Sequence, residues 1–459
     1  MRREPSLGMA WRLRHLWVIA AVLGCGRQSI VGLDDAGVTV EPSDAGSPTD
    51  GGDAPLGDAG QPDGGAAPDS GALADGGPVT DGGALADGGP VTDGGALADG
   101  GSMDGGSTVD GGLALGLPID IPGQAPYDQW TWIPTPGAQC ADGSPTGLGI
   151  NPHLGATRLL VFLAGGGMCY DYASCFVAKT AQHLEGYDSQ AFYAQVSSLF
   201  EGQPGVLRRD ATNPFAADNL VMLPYCTGDI FSGNQVQVYD DPFGAPHSIH
   251  HVGHLNIERY LSQLVPTFAA TASQVVFSGS SAGGMGAFLN YETAATAFSP
   301  VPTLLIDDSG PLMRDPYLTT ALLTNLWSTW EMGPTLPAGC TQCSPSLGLS
   351  NLVTYQASKP GFRGSLISSE QDRVISAFLT IGNPLMQLGS YYQAGLADLY
   401  TSAIQPSGPG QSRVFFIAGS DHVWLEYQDL SQIVSHGTTL QDFLISEITP
   451  DAGFTDVLP

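Results

Sequence analysis

Six short, almost continuously apolar runs between Leu159 and Ala418 constrain the fold of this chain more than any other feature. They are Leu159–Ala164, Asn219–Tyr225, Gln274–Gly279, Thr303–Asp307, Gly364–Ser369 and Arg413–Ala418, and each ends in glycine or polar residues. A strand with one wet face alternates apolar and polar side chains. A run without alternation is buried on both faces, which is the condition of a parallel sheet flanked by helices. Leu255–Val265 and Ala282–Ala297 carry helical patterns and read as two of the covering helices. The expectation is one α/β domain over residues 113–459, with a mostly parallel sheet, helices on both faces and long inserted loops.

Nothing before residue 113 can join that core. Residues 26–112 hold 15 Asp and one Glu (Glu41) against a single Arg27, and no aromatic residue. The stretch repeats every six residues, with Asp69, Asp75, Asp81, Asp87, Asp93 and Asp99 in phase. Self-repulsion and glycine entropy keep such a segment extended, so it reads as a disordered acidic spacer. The spacings of an EF-hand or a calcium-binding nonapeptide are both missing from it. Further upstream, Arg2, Arg3, Arg12 and Arg14 precede the apolar run Leu16–Leu23, which is shorter than the roughly 20 residues a membrane span needs. Val22-Leu23-Gly24-Cys25 resembles a bacterial lipoprotein box, so residues 1–25 read as a signal segment with Cys25 as the lipid-bearing residue. The chain is therefore expected to be exported and anchored to a bacterial membrane through lipid alone, or else plainly secreted. The net charge of −30 with only 15 Lys and Arg argues against nucleic-acid partners, and a monomer is expected.

Export permits disulfides. Setting Cys25 aside leaves Cys140, Cys169, Cys175, Cys226, Cys340 and Cys343, for which 15 pairings are possible. Short spacing favours Cys169 with Cys175. Cys340 and Cys343 form a CxxC without a second pair to complete a zinc site, so a tight loop disulfide is the better reading. Cys140 with Cys226 is left by elimination.

In open parallel sheets the chemistry collects beyond the carboxyl ends of the strands. The strand from Gln274 is followed by Gly279-Ser280-Ser281-Ala282-Gly283, a G-x-S-x-G turn between strand and helix that would present Ser281 as a nucleophile. The first apolar run is followed by Gly165-Gly166-Gly167-Met168. There the amides of Gly167 and Met168, with that of Ala282, are expected to stabilise an oxyanion. His422 stands just after the last strand, and Asp372 follows the strand before it. The order Ser281, Asp372, His422 is that of an α/β-hydrolase triad. Glu370, Asp307 and Asp308 are the rival acids, and Asp421 reads as a loop residue. His247, His250, His251 and His254 would share a helix face and could hold a metal, but Pro246 and Gly253 break a helix there. They read as loop or surface residues; no metal and no cofactor are expected.

Taken together these motifs resemble the pectin acetylesterase family, which includes the Notum carboxylesterases. The matching pieces are Cys140-Ala141-Asp142-Gly143-Ser144-Pro145, the glycine loop through Cys169 and Cys175, Asn213-Pro214-Phe215, the run from Leu223 to Asp229, and the elbow from Phe277 to Gly284. The resemblance implies the same triad and oxyanion donors, and a Cys169–Cys175 disulfide. Met168 departs from it, standing where the family usually has Trp, which changes a pocket wall. The implied activity is removal of small acyl groups, acetyl first, from a polysaccharide through a serine ester; the acidic chain would repel a strongly anionic pectin. A Notum-like hydrolase of longer acyl esters, or a non-catalytic glycan-binding protein on a hydrolase fold, are the alternatives.

Overall fold

The computed structural model describes residues 113–459, except 407, 409, 451 and 452. The signal segment, Cys25 and the acidic repeat lie outside the described residues. The strands are β1 (Thr131–Gln139), β2 (Pro145–Asn151), β3 (Arg158–Leu163), β4 (Asn219–Leu223), β5 (Gln235–Asp240), β6 (Pro246–His251), β7 (Gln274–Ser280), β8 (Thr303–Asp308), β9 (Arg363–Ser369), β10 (Gln411–Ile417), β11 (Val434–Ser435) and β12 (Thr438–Thr439). The α-helices are α1 (Ser189–Gln195), α2 (Gly253–Phe268), α3 (Ala282–Phe298), α4 (Thr320–Trp330), α5 (Ser350–Ala357), α6 (Arg373–Leu379), α7 (Gly389–Leu399) and α8 (Leu440–Ile448).

Eight strands form the central sheet in the order β1-β2-β4-β3-β7-β8-β9-β10. The six strands from β4 to β10 in that order pair in parallel, and they are the six apolar runs of the sequence. Residues 159–163 of β3, 220–223 of β4 and 304–307 of β8 are buried without a break, as two covered faces require. The antiparallel hairpin β1–β2 extends one edge. At the other edge Phe415 forms a parallel bridge with Val457. The Val457 N–H donates to the Val414 carbonyl (2.8 Å), and its own carbonyl accepts from the Phe416 N–H (2.9 Å).

Register decides where the site falls. Leu163 pairs with Gly279, Ser280 with Asp308 and Ser369 with Ile417, so the carboxyl ends of these strands lie along one rim of the sheet. Helix α3 packs on β7 and β8. Its residues Gly286 to Tyr291 are all buried, so it serves as a central pillar rather than an amphipathic cover. Burying a side chain such as Phe277 or Phe162 contributes about 1.5–3 kcal/mol each.

The disulfides are Cys140–Cys226, Cys169–Cys175 and Cys340–Cys343. The first spans 86 residues of sequence. In the chain-entropy account a loop of that length is worth roughly 4–5 kcal/mol.

One buried carboxyl makes stability depend on pH. Glu447 of α8 is fully buried; its Oε2 accepts from Ser365 Oγ (2.6 Å), while Oε1 has no hydrogen-bond partner among the described residues. Burial pushes its pKa up to about 8. The folded protein therefore keeps this proton between about pH 4.5 and 8, where the unfolded chain has lost it. Stability from this group is greatest below that window, declines through it and is flat above. Glu447→Gln keeps an acceptor for Ser365 and cannot ionise. It should raise the melting temperature at pH 9 and flatten the fall between pH 6 and 9 measured for the parent. Parallel melting curves for the two proteins across that range would refute this.

Candidate active site

Ser281 sits between β7 and α3 with φ 58° and ψ −120°, a conformation that costs a non-glycine residue energy and that functional sites retain. Its backbone N–H donates to the Asp308 carbonyl (2.7 Å), which ties the turn to the end of β8. The tight turn explains the small residues around the serine: a Cβ on Gly283 would lie 2.1 Å from the Leu163 carbonyl oxygen. Ala282 opens α3, where the first amides of a helix have no intrahelical acceptor and favour negative charge.

His422 follows β10, and its Nδ1 lies 2.7 Å from Oδ2 of Asp372, a residue with no exposed surface. A carboxylate only accepts, so Nδ1 carries the hydrogen and Nε2 keeps its lone pair in the neutral ring. The other oxygen of Asp372 accepts from the amides of Val374 (2.8 Å) and Ile375 (3.0 Å), capping α6. One carboxylate thus holds the histidine and a helix terminus together. Among the described residues neither Ser281 Oγ nor His422 Nε2 has a hydrogen-bond partner; unliganded sites often leave this contact to form with substrate.

The rival acids are occupied elsewhere. Glu370 Oε1 accepts from Gln393 Nε2 (2.8 Å), and Asp307 Oδ1 accepts from the Gly310 amide (2.9 Å). Burial, then the neighbouring Asp308, push the Asp307 carboxyl well above its usual range. Asp421 is exposed, 3.9 Å from Arg373. Asp308 has a role the sequence did not reveal. Its Oδ2 accepts from Ser280 Oγ (2.8 Å), from the Trp424 amide (2.8 Å) and from the Leu425 amide (2.9 Å), while Oδ1 accepts from Ser309 Oγ (3.0 Å). The segment just after the histidine and the residue just before the serine therefore hang on one buried carboxyl group. Glu426, next in that segment, has its pKa raised by burial and then by Asp308.

The glycine loop corrects one expected donor. Gly167 forms an isolated antiparallel bridge with Ala181, in which the Gln182 N–H donates to the Gly166 carbonyl (2.8 Å). The other rung of such a bridge faces the Met168 N–H toward the Thr180 carbonyl, away from the role expected of it. The Gly167 N–H is turned from that segment and has no acceptor among the described residues. Gly165 lies beside the nucleophile, since a Cβ there would be 3.1 Å from that of Ser281.

The histidine cluster is also rearranged relative to expectation. His247, His250 and His251 lie on β6, where neighbours face opposite sides, and His254 lies in α2. His251 is a core residue, not a surface one; its ring bridges the Thr227 carbonyl (2.9 Å) and Tyr239 Oη (3.0 Å), and burial lowers its pKa to about 4. Cys169 and Cys175 lie close enough to His251 for a metal, but their sulfurs are joined to each other.

Comparison with known proteins gives a consistent family signal. A family model described as pectinacetylesterase matches residues 129–344. The palmitoleoyl-protein carboxylesterase NOTUM of Drosophila melanogaster is 28% identical over 222 residues, covering 45% of this chain and 32% of that protein. The notum2 protein of Xenopus laevis, with the same activity in its name, is 29% identical over 160 residues, covering 34% of this chain and 30% of its own. The match thus spans about a third of those relatives' length. A crystal structure of the Wnt deacylase Notum from Drosophila superposes with a TM-score of 0.53 at 22% identity, covering 69% of this chain and 91% of that one. At that identity the likeness establishes the fold, an α/β-hydrolase-like sheet.

Proposed function

We propose that this chain is a member of the pectin acetylesterase and Notum family, and that residues 113–459 form a serine carboxylesterase that removes small O-acyl groups, acetyl first, from a polysaccharide outside the cytoplasm. The proposal includes residues 1–25 as a lipoprotein signal ending at Cys25 and residues 26–112 as an acidic tether. The observation that carries the catalytic reading is the 2.7 Å contact between His422 and Asp372, just past the ends of β10 and β9, which follow β8 along the same sheet from the strand that ends at the strained Ser281. Asp372 and His422 lie beyond the matched residues 129–344, so they rest on that geometry.

In the proposed mechanism Ser281 Oγ attacks the acyl carbonyl while His422 Nε2 takes its proton, and Asp372 holds the resulting imidazolium. The amides of Gly167 and Ala282 stabilise the tetrahedral oxyanion. Collapse breaks the bond to the sugar oxygen, which takes the proton from His422 as it departs and leaves as a free hydroxyl. Water, activated by the same histidine, then frees the acid and restores Ser281.

The activity in the relatives' names favours a second reading, hydrolysis of longer acyl esters. The full-length protein should hydrolyse p-nitrophenyl acetate with kcat/KM at least about tenfold above that for the octanoate, since each buried methylene a pocket must recognise is worth about 1–3 kcal/mol. A fluorophosphonate should label it at Ser281, and Ser281→Ala should stay unlabelled. Preference for octanoate would move the assignment to the longer-chain hydrolase. Equal labelling and turnover in parent and variant would leave only a binding protein.

A further inference from the structure

The loop that carries Gly167 is held from beneath by a side chain outside the proposed triad. Tyr225, just after β4, is almost wholly buried. Its Oη lies 2.8 Å from the Ile230 amide nitrogen and 2.8 Å from the Gly167 carbonyl oxygen. An amide can only donate and a carbonyl can only accept, so the hydroxyl hydrogen points at Gly167. Burial raises the phenol pKa well above its ordinary value, so that hydrogen stays in place. The Tyr225 ring lies against the loop as well: a Cβ on Gly166 would come within 2.4 Å of it.

Gly167 lies between two planar peptides, and each is pinned by its carbonyl oxygen. The Gln182 N–H holds Gly166 O, and the Tyr225 hydroxyl holds Gly167 O. Within a trans peptide the carbonyl and the next N–H point opposite ways, so pinning Gly166 O aims the Gly167 N–H. A single hydrogen bond at Gly166 O lets that peptide turn about the bond, and Gly167, with φ 77° and no side chain, is a soft link behind it; the Tyr225 bond to Gly167 O fixes the far side of the link and so removes that freedom. The partner on the far side of Tyr225 is itself constrained: Ile230 and Phe231 are consecutive non-glycine residues at positive φ, 50° and 57°. A β-branched residue rarely adopts that conformation unless its surroundings enforce it. The buried Asp229 does so, accepting from the amides of Phe231 (3.1 Å) and Gly253 (2.7 Å).

We propose that Tyr225 is a positioning residue for the oxyanion hole, its hydroxyl locking Gly167 so that the Gly167 N–H stays aimed at the developing negative charge. The proposal rests on the esterase reading, with Ser281 as nucleophile. Because the hydroxyl orients a donor that matters only in the transition state, its loss acts on kcat and spares ground-state binding.

The test is Tyr225→Phe in the full-length protein, which keeps the ring under Gly166 and removes only the hydroxyl. With p-nitrophenyl acetate, kcat should fall about 10- to 100-fold while KM stays within about threefold, less than outright loss of an oxyanion donor. Affinity for phenylboronic acid, whose serine adduct places an oxygen in the same hole, should fall by a similar factor. Replacing Tyr225 with 4-aminophenylalanine, which restores a donor, should return kcat to within about threefold of the parent; if Tyr225→Phe does not fold, this protein decides. Unchanged kcat and boronate affinity in Tyr225→Phe, or a tenfold loss in the folded 4-aminophenylalanine protein, would overturn the proposal. Turnover lost in Ser281→Ala but unaltered in Tyr225→Phe defeats the proposal alone. Turnover surviving in Ser281→Ala defeats the esterase reading and the proposal with it.

Discussion

Replacing Ser281 by alanine should lower kcat for ester hydrolysis about a million-fold, and His422→Ala should cost about as much. The two side chains form one device: without the serine the histidine has no proton to take, and without the histidine the hydroxyl is a poor nucleophile. The double variant should therefore be no slower than either single one, while the oxyanion hole leaves a residual rate above that of water. Asp372→Asn should lose less, about ten-thousand-fold, because it spoils the tautomer of His422 and leaves the nucleophile in place. Its helix cap makes Asp372→Ala a different substitution, since the amides of Val374 and Ile375 would lose their acceptor and add about 1 kcal/mol of destabilisation. Steady-state rates, corrected for contaminating esterase by active-site titration, provide the measurement. If the double variant instead loses the product of the two single effects, the residues act independently and the triad is wrong.

Asp308→Ala should bring the largest loss of stability. Four donors converge on this one carboxyl group: the Trp424 and Leu425 amides and the hydroxyls of Ser280 and Ser309. Leaving a buried donor unsatisfied costs about 1–3 kcal/mol, though the rotating hydroxyls can find other acceptors. The expected penalty is about 3–5 kcal/mol, comparable to breaking a buried ion pair. For a domain of this size that corresponds to roughly 6–20 °C in melting temperature. Asp308→Asn preserves shape but turns an amino group toward donors, so it should recover only part of the loss. Asp421→Ala, at an exposed site, is the control and should melt with the parent. An Asp308→Ala protein that melts within 2 °C of the parent, an interval of about 1 kcal/mol or less, would mean that the loop after His422 does not depend on this residue.

The parallel strands were legible because burial on two faces writes itself as an unbroken apolar run. β1 and β2 carry no such run. The edge strand β1 alternates and contains Pro134, Pro136 and Gly137, while β2 is buried but its Thr146, Gly147 and Gly149 interrupt the apolar pattern. β5 and β6 were missed too, since Gln235–Asp240 and Pro246–His251 are polar ribbons away from the main sheet. Ser281, Asp372 and His422 could be proposed because strand ends are where such residues stand. The task of Asp308 could not: it holds main-chain amides 116 and 117 residues further on, and a main-chain amide leaves no mark on composition or spacing. Tyr225 escaped for the same reason, as both its partners are backbone groups. Met168 was expected as a donor because the glycine loop was read alone, whereas its N–H is turned by a pairing with the segment around Ala181.

The pairing of Val457 with β10 has a practical side. An edge strand with a free row of amides and carbonyls is a template for a neighbouring molecule. Here Val457 of the same chain supplies the stopper. Removing Val457, or pulling it away with a fused tag, would uncork β10 and invite strand-to-strand aggregation in a protein whose proposed catalytic groups are all still in place.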